Sequence, residues 1–217
     1  MKINWKDHLV NLIVVILGIS IAFALENYAE KRQRRSTEKM YMTSLLKDLE
    51  TDQLLFDTLI AINENILESL NELTAASIDP SEKEVSSHLF TVMYNPPFSS
   101  QRMTYESLKS LGQVEIISSF SLRSDIVELY EQYYRGCNEY DEAINNHIEH
   151  FLSPFFIKKV RFVAKGKVKN DFVKNPEFQN IIFSYRNFYI QKTNYYKEVN
   201  TKLKSIMEKA TNHANAI

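Results

Sequence analysis

No glycine and no proline occurs between Gly18 and Pro80. Proline removes a backbone hydrogen bond from a helix and glycine weakens it, so their absence lets one helix run through the whole stretch. The sequence therefore predicts a single long helix that ends near residue 76. The whole chain of 217 residues holds only 4 glycines and 5 prolines. This scarcity favours an all-α fold over a β-sandwich with frequent turns.

The first part of this stretch is strongly apolar. Residues 9–25 read LVNLIVVILGISIAFAL and carry no charge. A helix of this length spans about 26 Å, close to the hydrocarbon core of a bilayer at about 30 Å. Trp5 and Tyr28 flank it, where aromatic side chains often lie at the membrane surface. We therefore predict a short N-terminal tail at residues 1–8 and a transmembrane helix at residues 9–25.

A cleaved export signal and a buried helix of a soluble protein are the alternatives for residues 9–25. The tripeptide AFA at 22–24 resembles a signal cleavage site, and the apolar run is short. However, Lys2 and Lys6 form only a weak basic region that Asp7 partly offsets. The helical pattern also continues beyond the tripeptide. The membrane anchor is therefore the favoured interpretation.

A dense basic cluster follows the apolar segment. Its first members are Lys31, Arg32, Arg34 and Arg35. Cations concentrate on the cytoplasmic side of a span, and acidic neighbours contribute little to this bias. We predict a basic juxtamembrane helix at residues 26–44 and a cytoplasmic location for the C-terminal domain. The single cysteine, Cys137, allows no intrachain disulfide and agrees with a reducing compartment.

One face of the predicted span carries small and polar side chains. Gly18 and Ala22 are four residues apart, and Asn11 lies seven residues before Gly18 on the same side. Small residues let two membrane helices approach closely, and a buried amide favours a partner. Self-association through Asn11, Gly18 and Ala22 is one interpretation. The other is that glycine and alanine are simply common in membrane helices.

Apolar residues recur every seven positions in the second half of the long helix. The two series are Leu45, Asp52, Leu59, Ile66 and Leu73, and Met42, Leu49, Phe56, Asn63 and Leu70. This spacing is typical of a helix seam. Further apolar residues widen the face, which favours packing in a bundle within the chain over an intermolecular stalk. We predict a helical bundle domain at residues 45–217.

Capping residues divide the rest of the chain into further helices. Thr104 is a candidate N-cap for a short helix that Gly112 would end. A long helix is predicted to begin after Ser121 and to end before Pro154. Asn175, followed by proline and glutamate, marks the start of the last helix.

A capping-box spacing links Ser81 and Glu84 and predicts another short helix there. The basic connector at residues 158–174 could be a small hairpin or a helix extension, and the sequence leaves both open. Three environments are possible for its cations: contact with the acidic part of the long helix, contact with anionic lipid, or solvent.

Tyrosines cluster at helical spacing on the two C-terminal helices. The candidate groove residues are Tyr130, Tyr133, Tyr134, Tyr185 and Tyr189. A tyrosine ring packs like an apolar side chain while its hydroxyl seeks a partner. Ordinary interhelical packing is the favoured interpretation, and a binding groove is the alternative.

No catalytic, cofactor or metal signature stands out in this sequence. His147 and His150 are three residues apart, but no further ligand follows at a metal-site spacing, so we expect surface histidines. Cys137 lies among apolar neighbours, where an inert thiol is expected. We predict neither an enzyme nor a cofactor. The net charge of −1 gives no reason to expect nucleic acid as a partner.

Two stretches resemble a family of uncharacterised single-span bacterial membrane proteins. The first is LIVVILGISIAFALENYAEKRQRR, similar to an apolar GI-x-IA run followed by N-x-x-E and a basic cluster. The second holds the spaced residues Tyr105, Leu108, Lys109, Ser110, Gly112, Leu122, Arg123, Tyr133 and Tyr134.

This chain departs from the family pattern at the exit of the span. It has Glu26, Asn27 and Tyr28 where Asn-Asn-Trp-Asn is usual, and its N-terminal tail is shorter. The resemblance implies a single-pass protein of the bacterial inner membrane with a helical domain, and it supplies no catalytic residues.

Two functions follow as hypotheses. The first is a membrane-anchored helical scaffold, sensor or assembly subunit that acts through contacts of its helix faces. Its partners would be the lipid bilayer and either a second copy of the chain or another membrane protein. The alternative is a ligand-binding domain with a tyrosine-lined groove that signals through the membrane anchor. A membrane-tethered hydrolase of unfamiliar geometry is a minor third possibility.

Overall fold

The fold is all-α, and one helix dominates it. This computed structural model describes residues 5–75, 82–163 and 167–217. The seven α-helices of these ranges are α1 (Trp5–Ala75), α2 (Glu82–Val92), α3 (Met103–Ser110), α4 (Phe120–Glu128), α5 (Tyr134–His147), α6 (Ser153–Lys159) and α7 (Pro176–Ala216). Helix α1 confirms the long helix predicted from the absence of glycine and proline. It begins at Trp5, within the predicted N-terminal tail.

Helix α7 runs antiparallel to α1 along most of the bundle. Contacts between the two helices follow one another in opposite directions, from Gln179 at Leu73, through Asn200 at Asp57, to His213 at Glu38. Helix α7 spans about 60 Å at 1.5 Å per residue. Its end therefore returns to the part of α1 that adjoins the apolar segment.

The predicted seam of α1 is the buried face of this helix. All ten positions have at most 2 % of their surface exposed, the two polar ones included. They pack against other helices of the same chain, so the bundle interpretation is confirmed. The burial of Asp52 and Asn63 shows that the seam tolerates polar side chains within its register.

Two hydrophobic clusters form the core. The cluster nearer the apolar segment, which we call the proximal cluster, surrounds Phe56, whose ring stacks on Phe98 at 4.4 Å between centroids. The cluster farther from the apolar segment, which we call the distal cluster, surrounds Phe178. The ring of Phe178 meets that of Phe172 edge to face, with 5.0 Å between centroids. Helices α1 and α7 contribute to both clusters and join them.

Helices α4, α5 and α6 follow one another with two π-helical turns between them, at Leu129–Tyr133 and Ile148–Leu152. The prediction that this helix ends before Pro154 was wrong. The π-turn widens the helix just before the proline, and Pro154 occupies the first turn of α6, where a missing N–H is tolerated. The helix start was also misplaced, because the Ser119 hydroxyl, rather than Ser121, accepts from the backbone N–H of Leu122 at 3.4 Å.

Helix α3 ends as predicted but begins differently. Gly112 has a positive φ of 65°, and Gln113 N–H donates to the Leu108 carbonyl at 2.8 Å, which closes the C-terminus. Thr104 lies inside the helix and is not its N-cap. Carboxylates of α1 accept from this end instead: Asp48 Oδ2 from Thr104 N–H at 3.2 Å and Asp52 Oδ1 from Gln101 N–H at 2.7 Å.

The basic connector contains a short antiparallel hairpin. Strands β1 (Phe162–Val163) and β2 (Lys167–Val168) pair with Phe162 opposite Val168. The hairpin interpretation therefore holds over the helix extension. Asn175 caps α7 as predicted, since its Oδ1 accepts from Glu177 N–H at 2.8 Å. The predicted capping box of Ser81 and Glu84 lies outside the described part of the chain, which includes neither Ser81 nor the side chain of Glu84.

The N-terminal part of α1 has no packing partner among the described residues. Side chains from residue 11 to residue 25 are exposed. This is one helix that is long and apolar enough to cross a membrane, judged by length and composition.

Candidate functional site

A buried ion pair lies at the centre of the bundle. Lys192 Nζ on α7 is 2.7 Å from Asp141 Oδ1 on α5, and the lysine side chain is fully buried. Tyr196 also donates its hydroxyl to Asp141 Oδ1 at 2.8 Å. Burial lowers the pKa of Lys192, and the Asp141 carboxylate opposes that shift.

The same ion pair holds the loop that carries the NPPF sequence. Asn95 Oδ1 accepts from Lys192 Nζ at 2.7 Å and from the Tyr189 hydroxyl at 3.2 Å. Phe98 N–H donates to the second oxygen of Asp141 at 2.7 Å. The ammonium of Lys192 and the carboxylate of Asp141 therefore both fix the loop that follows α2, which they tie to α7 and α5. This arrangement stabilises the fold.

The five candidate tyrosines do not share one groove within the described residues. Tyr130 and Tyr134 lie in the proximal cluster, Tyr185 and Tyr189 in the distal cluster, and all four are fully buried. Only Tyr133 is partly exposed. Their regular spacing reflects packing of large rings between helices.

Three of the buried tyrosine hydroxyls bond to backbone carbonyls at the end of α2 or in the loop that follows it. Tyr185 donates to the Val92 carbonyl at 2.9 Å, Tyr189 to Tyr94 at 3.1 Å, and Tyr130 to Gln101 at 3.1 Å. These contacts attach an irregular segment to α7 and to the π-turn before α5.

An open groove of about 820 Å³ lies between α5 and α7 near the distal cluster. Its apolar lining includes Phe151, Ile181 and Phe188, and its polar lining includes His147 and His150. We call it the distal groove. Its volume falls in the range of ordinary ligand pockets.

His147 forms the inner wall of the distal groove, and the expectation that it is a surface histidine was wrong. It is 7 % exposed, and its ring stacks on Tyr185 at 5.2 Å. Its Nε2 lies 3.2 Å from the Ile181 carbonyl, and burial lowers its pKa. His150 is exposed, as expected, with Nδ1 at 2.9 Å from the Asn146 carbonyl.

A polar clamp joins the end of α7 to α1 about 20 Å beyond the apolar segment. His213 Nε2 is 2.7 Å from Glu38 Oε1, and Ser118 donates to the same oxygen from its N–H at 2.6 Å and its hydroxyl at 2.8 Å. Burial raises the pKa of Glu38, but the hydrogen bonds from His213 and Ser118 outweigh it and leave the pKa below its ordinary value.

This clamp does not have the geometry of a Ser-His-Glu triad. In a triad the histidine uses one ring nitrogen for the acid and the other for the serine. Here Nε2 of His213 faces both Glu38 and Ser118. Glu38 was not predicted from the sequence, although it lies seven residues before Leu45 and so continues the buried seam toward the apolar segment.

The four predicted juxtamembrane cations divide into two groups. Lys31, Arg32 and Arg35 line a second groove of about 540 Å³ between α1 and the end of α7, which we call the proximal groove. Arg34 lies on another side of α1, where its Nη2 donates to the Glu115 carbonyl at 3.1 Å.

The residues predicted for association of the membrane helix are all exposed. Asn11, Gly18 and Ala22 have no described side chain packed over them, and a Cβ added at Gly18 would meet nothing within 4 Å. Their self-association stays a prediction.

The metal and thiol candidates show no reactive geometry in the described ranges. No group of three or more histidine, cysteine, aspartate or glutamate side chains is placed there to hold a metal ion. Cys137 is fully buried, and burial, with a smaller contribution from Asp141, raises its pKa well above the ordinary value.

Comparison with known proteins identifies the chain at the level of a family. No curated protein and no solved structure matches it. The model of one family, described as a family of unknown function, matches residues 11–185, which include most of the apolar segment, the seam of α1 and helices α2 to α6. The chain belongs to this family, DUF6090.

Proposed function

We propose that the protein is a membrane-anchored helical scaffold that acts through its helix faces and catalyses no reaction. The observation that supports this most is the continuity of α1, which runs without a break from the apolar segment to the distal cluster. Its residues after Leu25 extend about 75 Å. Helix α7 stiffens this length from Gln179 to His213. A rod of this kind holds its distal end at a fixed distance from a bilayer.

The exposed apolar surface supports the anchor. The most apolar window of 18 residues has a mean hydropathy of 2.0, and none of it is buried. An apolar surface of this extent is unfavourable in water, whereas the hydrocarbon core of a bilayer accommodates it. The proposed location is the bacterial inner membrane, with the bundle in the cytoplasm because the basic cluster follows the span.

Alkaline washing of membranes and a topology reporter test the anchor and its orientation. The full chain should stay in the membrane fraction after an alkaline carbonate wash. A fluorescent or enzymatic reporter fused after Ile217 should be active in the cytoplasm and inactive outside it. Release of the chain by the wash contradicts the anchor, and an active periplasmic reporter contradicts the orientation.

The scaffold is proposed to assemble with a second copy through the Gly18 face of the span. A Gly18→Cys variant in a Cys137→Ser background should form disulfide-linked dimers in membranes treated with a mild oxidant. Ser20→Cys is the matched control, since it lies only about 3 Å further along the axis and about 160° around the helix from Gly18. Equal dimer yields from both variants contradict a specific face.

A second candidate function is ligand binding in the distal groove, with the anchor carrying the signal. The partly apolar lining and the exposure of Phe151 at 55 % favour it. A compound found by thermal-shift screening should lose its stabilising effect in a Ser184→Trp variant, which fills the groove. Glu198→Trp, on an exposed part of α7, should leave the effect unchanged. Loss of the effect in both variants contradicts binding at this groove.

A further inference from the structure

We propose that the proximal groove binds the phosphate headgroup of an anionic glycerophospholipid. This inference rests on the proposed membrane anchor. The groove lies where α1 leaves the apolar segment, and its cationic lining consists of Lys31, Arg32, Arg35 and Lys39. Tyr28 and Ile217 add apolar surface on either side.

The cations of the groove share one side of α1. Positions 28, 31, 32, 35 and 39 follow the spacing of three and four residues that places side chains on one helix face. At 100° per residue, Glu26 and Glu30 fall on the opposite side of the helix. Glu38, the nearest remaining acid of α1, is occupied by His213 and Ser118.

The charges of these cations are not neutralised within the described residues. None of the four pairs with a described acidic side chain within 4.0 Å, whereas all five lysines of α7 do so. Four like charges on one short face repel one another in the absence of an anion. An anionic group entering the groove relieves this repulsion and supplies the missing partner.

The inner end of the groove lies close to the headgroup layer. This layer extends about 5–7 Å beyond the hydrocarbon core. Tyr28, Lys31 and Arg32 lie about 5–10 Å beyond Leu25 along the helix. Side chains of a helix lean toward its N-terminus, which for α1 is the direction of the bilayer, so Lys31 and Arg32 reach back toward the phosphates. Arg35 and Lys39, about 15 and 21 Å beyond Leu25, form the outer part of the groove.

The chemistry of the lining suits a phosphodiester. A guanidinium group offers two parallel N–H donors that match two phosphate oxygens, and two arginines face this groove. Tyr28 is 68 % exposed at the height where aromatic rings lie against lipid headgroups. A zwitterionic lipid would bring its own cation into a groove that is already positive, so the anionic class is preferred.

Native mass spectrometry of the full chain released in detergent tests the proposal. It is titrated with dioleoyl phosphatidylglycerol, with dioleoyl phosphatidylcholine and with glycerol phosphate. We expect the first phosphatidylglycerol to bind about ten-fold more tightly than phosphatidylcholine, because both lipids carry the phosphodiester but only phosphatidylcholine adds a quaternary ammonium that the cations of the groove repel. Equal affinities overturn the proposal. Glycerol phosphate binding as tightly as the anionic lipid also overturns it, because the site would then serve a soluble phosphate.

Arg32→Gln and Arg34→Gln form the matched pair of variants. Both remove one exposed cation, at positions about 3 Å apart along the helix, but only Arg32 lines the groove. Arg32→Gln should weaken binding of phosphatidylglycerol about ten-fold and Arg34→Gln less than two-fold. Arg32→Lys keeps the charge but lacks the paired donors, so its affinity for phosphatidylglycerol should lie between those of the two glutamine variants. Equal losses for Arg32→Gln and Arg34→Gln indicate diffuse attraction of a basic segment and overturn the groove.

The two proposals fail separately. If the chain resists the carbonate wash and shows no preference for the anionic lipid, only the lipid site is overturned. If the wash releases the chain, the anchor itself is overturned, and the lipid site with it.

Discussion

Lys192 and Asp141 form an ion pair of 2.7 Å that is shut off from solvent, although the two residues are 51 positions apart in the sequence. An unpaired charge in such a place is strongly unfavourable, so each partner depends on the other. The pair therefore connects α5, α7 and the loop of Asn95 into one cooperative unit.

Lys192→Met should lower the free energy of unfolding by about 3–5 kcal/mol, because it leaves the Asp141 carboxylate buried without its cation. Chemical denaturation of the detergent-solubilised chain measures this loss. Lys197→Met is the matched control: Lys197 also lies on α7 and also pairs at 2.7 Å, with Glu64, but about half of each side chain is exposed. Its loss should stay below about 1 kcal/mol. Equal losses at the two positions contradict the role given to burial.

Asp52→Asn should stabilise the chain more at pH 7.5 than at pH 4.5, by a difference of about 2 kcal/mol. Burial raises the pKa of Asp52 to about 6, although the hydrogen bond from Gln101 N–H opposes the shift. The folded state therefore holds this proton more tightly than the unfolded state. Stability is lost as the pH rises from the ordinary aspartate value near 3.8 through about 6.

Denaturation curves of the wild type and the Asp52→Asn variant at both pH values give this difference. The asparagine retains an oxygen to accept from Gln101 N–H, so the comparison isolates the charge. A variant whose advantage does not change with pH contradicts the raised pKa.

Glu38→Gln should lower the free energy of unfolding by about 1–3 kcal/mol at pH 7, because it weakens the hydrogen bonds from His213 and Ser118. The lowered pKa of Glu38 means that its stabilising effect is complete above about pH 4.5 and is lost as the pH falls through the folded-state value. The wild type and the variant should therefore converge in stability as the pH falls below 4.5. Glu64→Gln, in an exposed pair, is the control and should change stability by less than about 1 kcal/mol.

Gly136→Ala should destabilise the chain by about 1–3 kcal/mol, although alanine is the better helix former. A Cβ at this position would overlap the side chain of Tyr195, whose hydroxyl donates to the Tyr133 carbonyl at 3.3 Å. In a Tyr195→Ala background the same substitution should become neutral or stabilising. Thermal denaturation of the four proteins gives the coupling between the two sites, and additive effects contradict the close approach.

The sequence predicted the helix faces well because burial follows spacing. Every seam position from Met42 to Leu73 is buried, since a residue every seven positions returns to the same side of a helix. The same rule identified the faces of the tyrosines on α5 and α7. It did not show that Tyr130 and Tyr185 belong to different clusters, because spacing identifies a face and not its neighbour.

Contacts between residues that are far apart in the sequence could not be predicted from local patterns. The N-terminus of α3 is held by Asp48 and Asp52, about 50 residues earlier, so the local candidate Thr104 was mistaken for its cap. His147 is buried by Tyr185, which only the packing of α7 on α5 brings to it. The proximal groove likewise needs the end of α7 beside α1, although its cations are plain in the sequence.

The unbroken course of α1 has a mechanical consequence. No swivel point interrupts it between Leu25 and Leu73, and α7 is fastened to it at Glu38 and again at Leu73. If the apolar end of α1 rotates about the helix axis, the seam and the helices packed against it are expected to rotate with it. We therefore expect a rotation of the apolar end to be transmitted through α1 to the bundle.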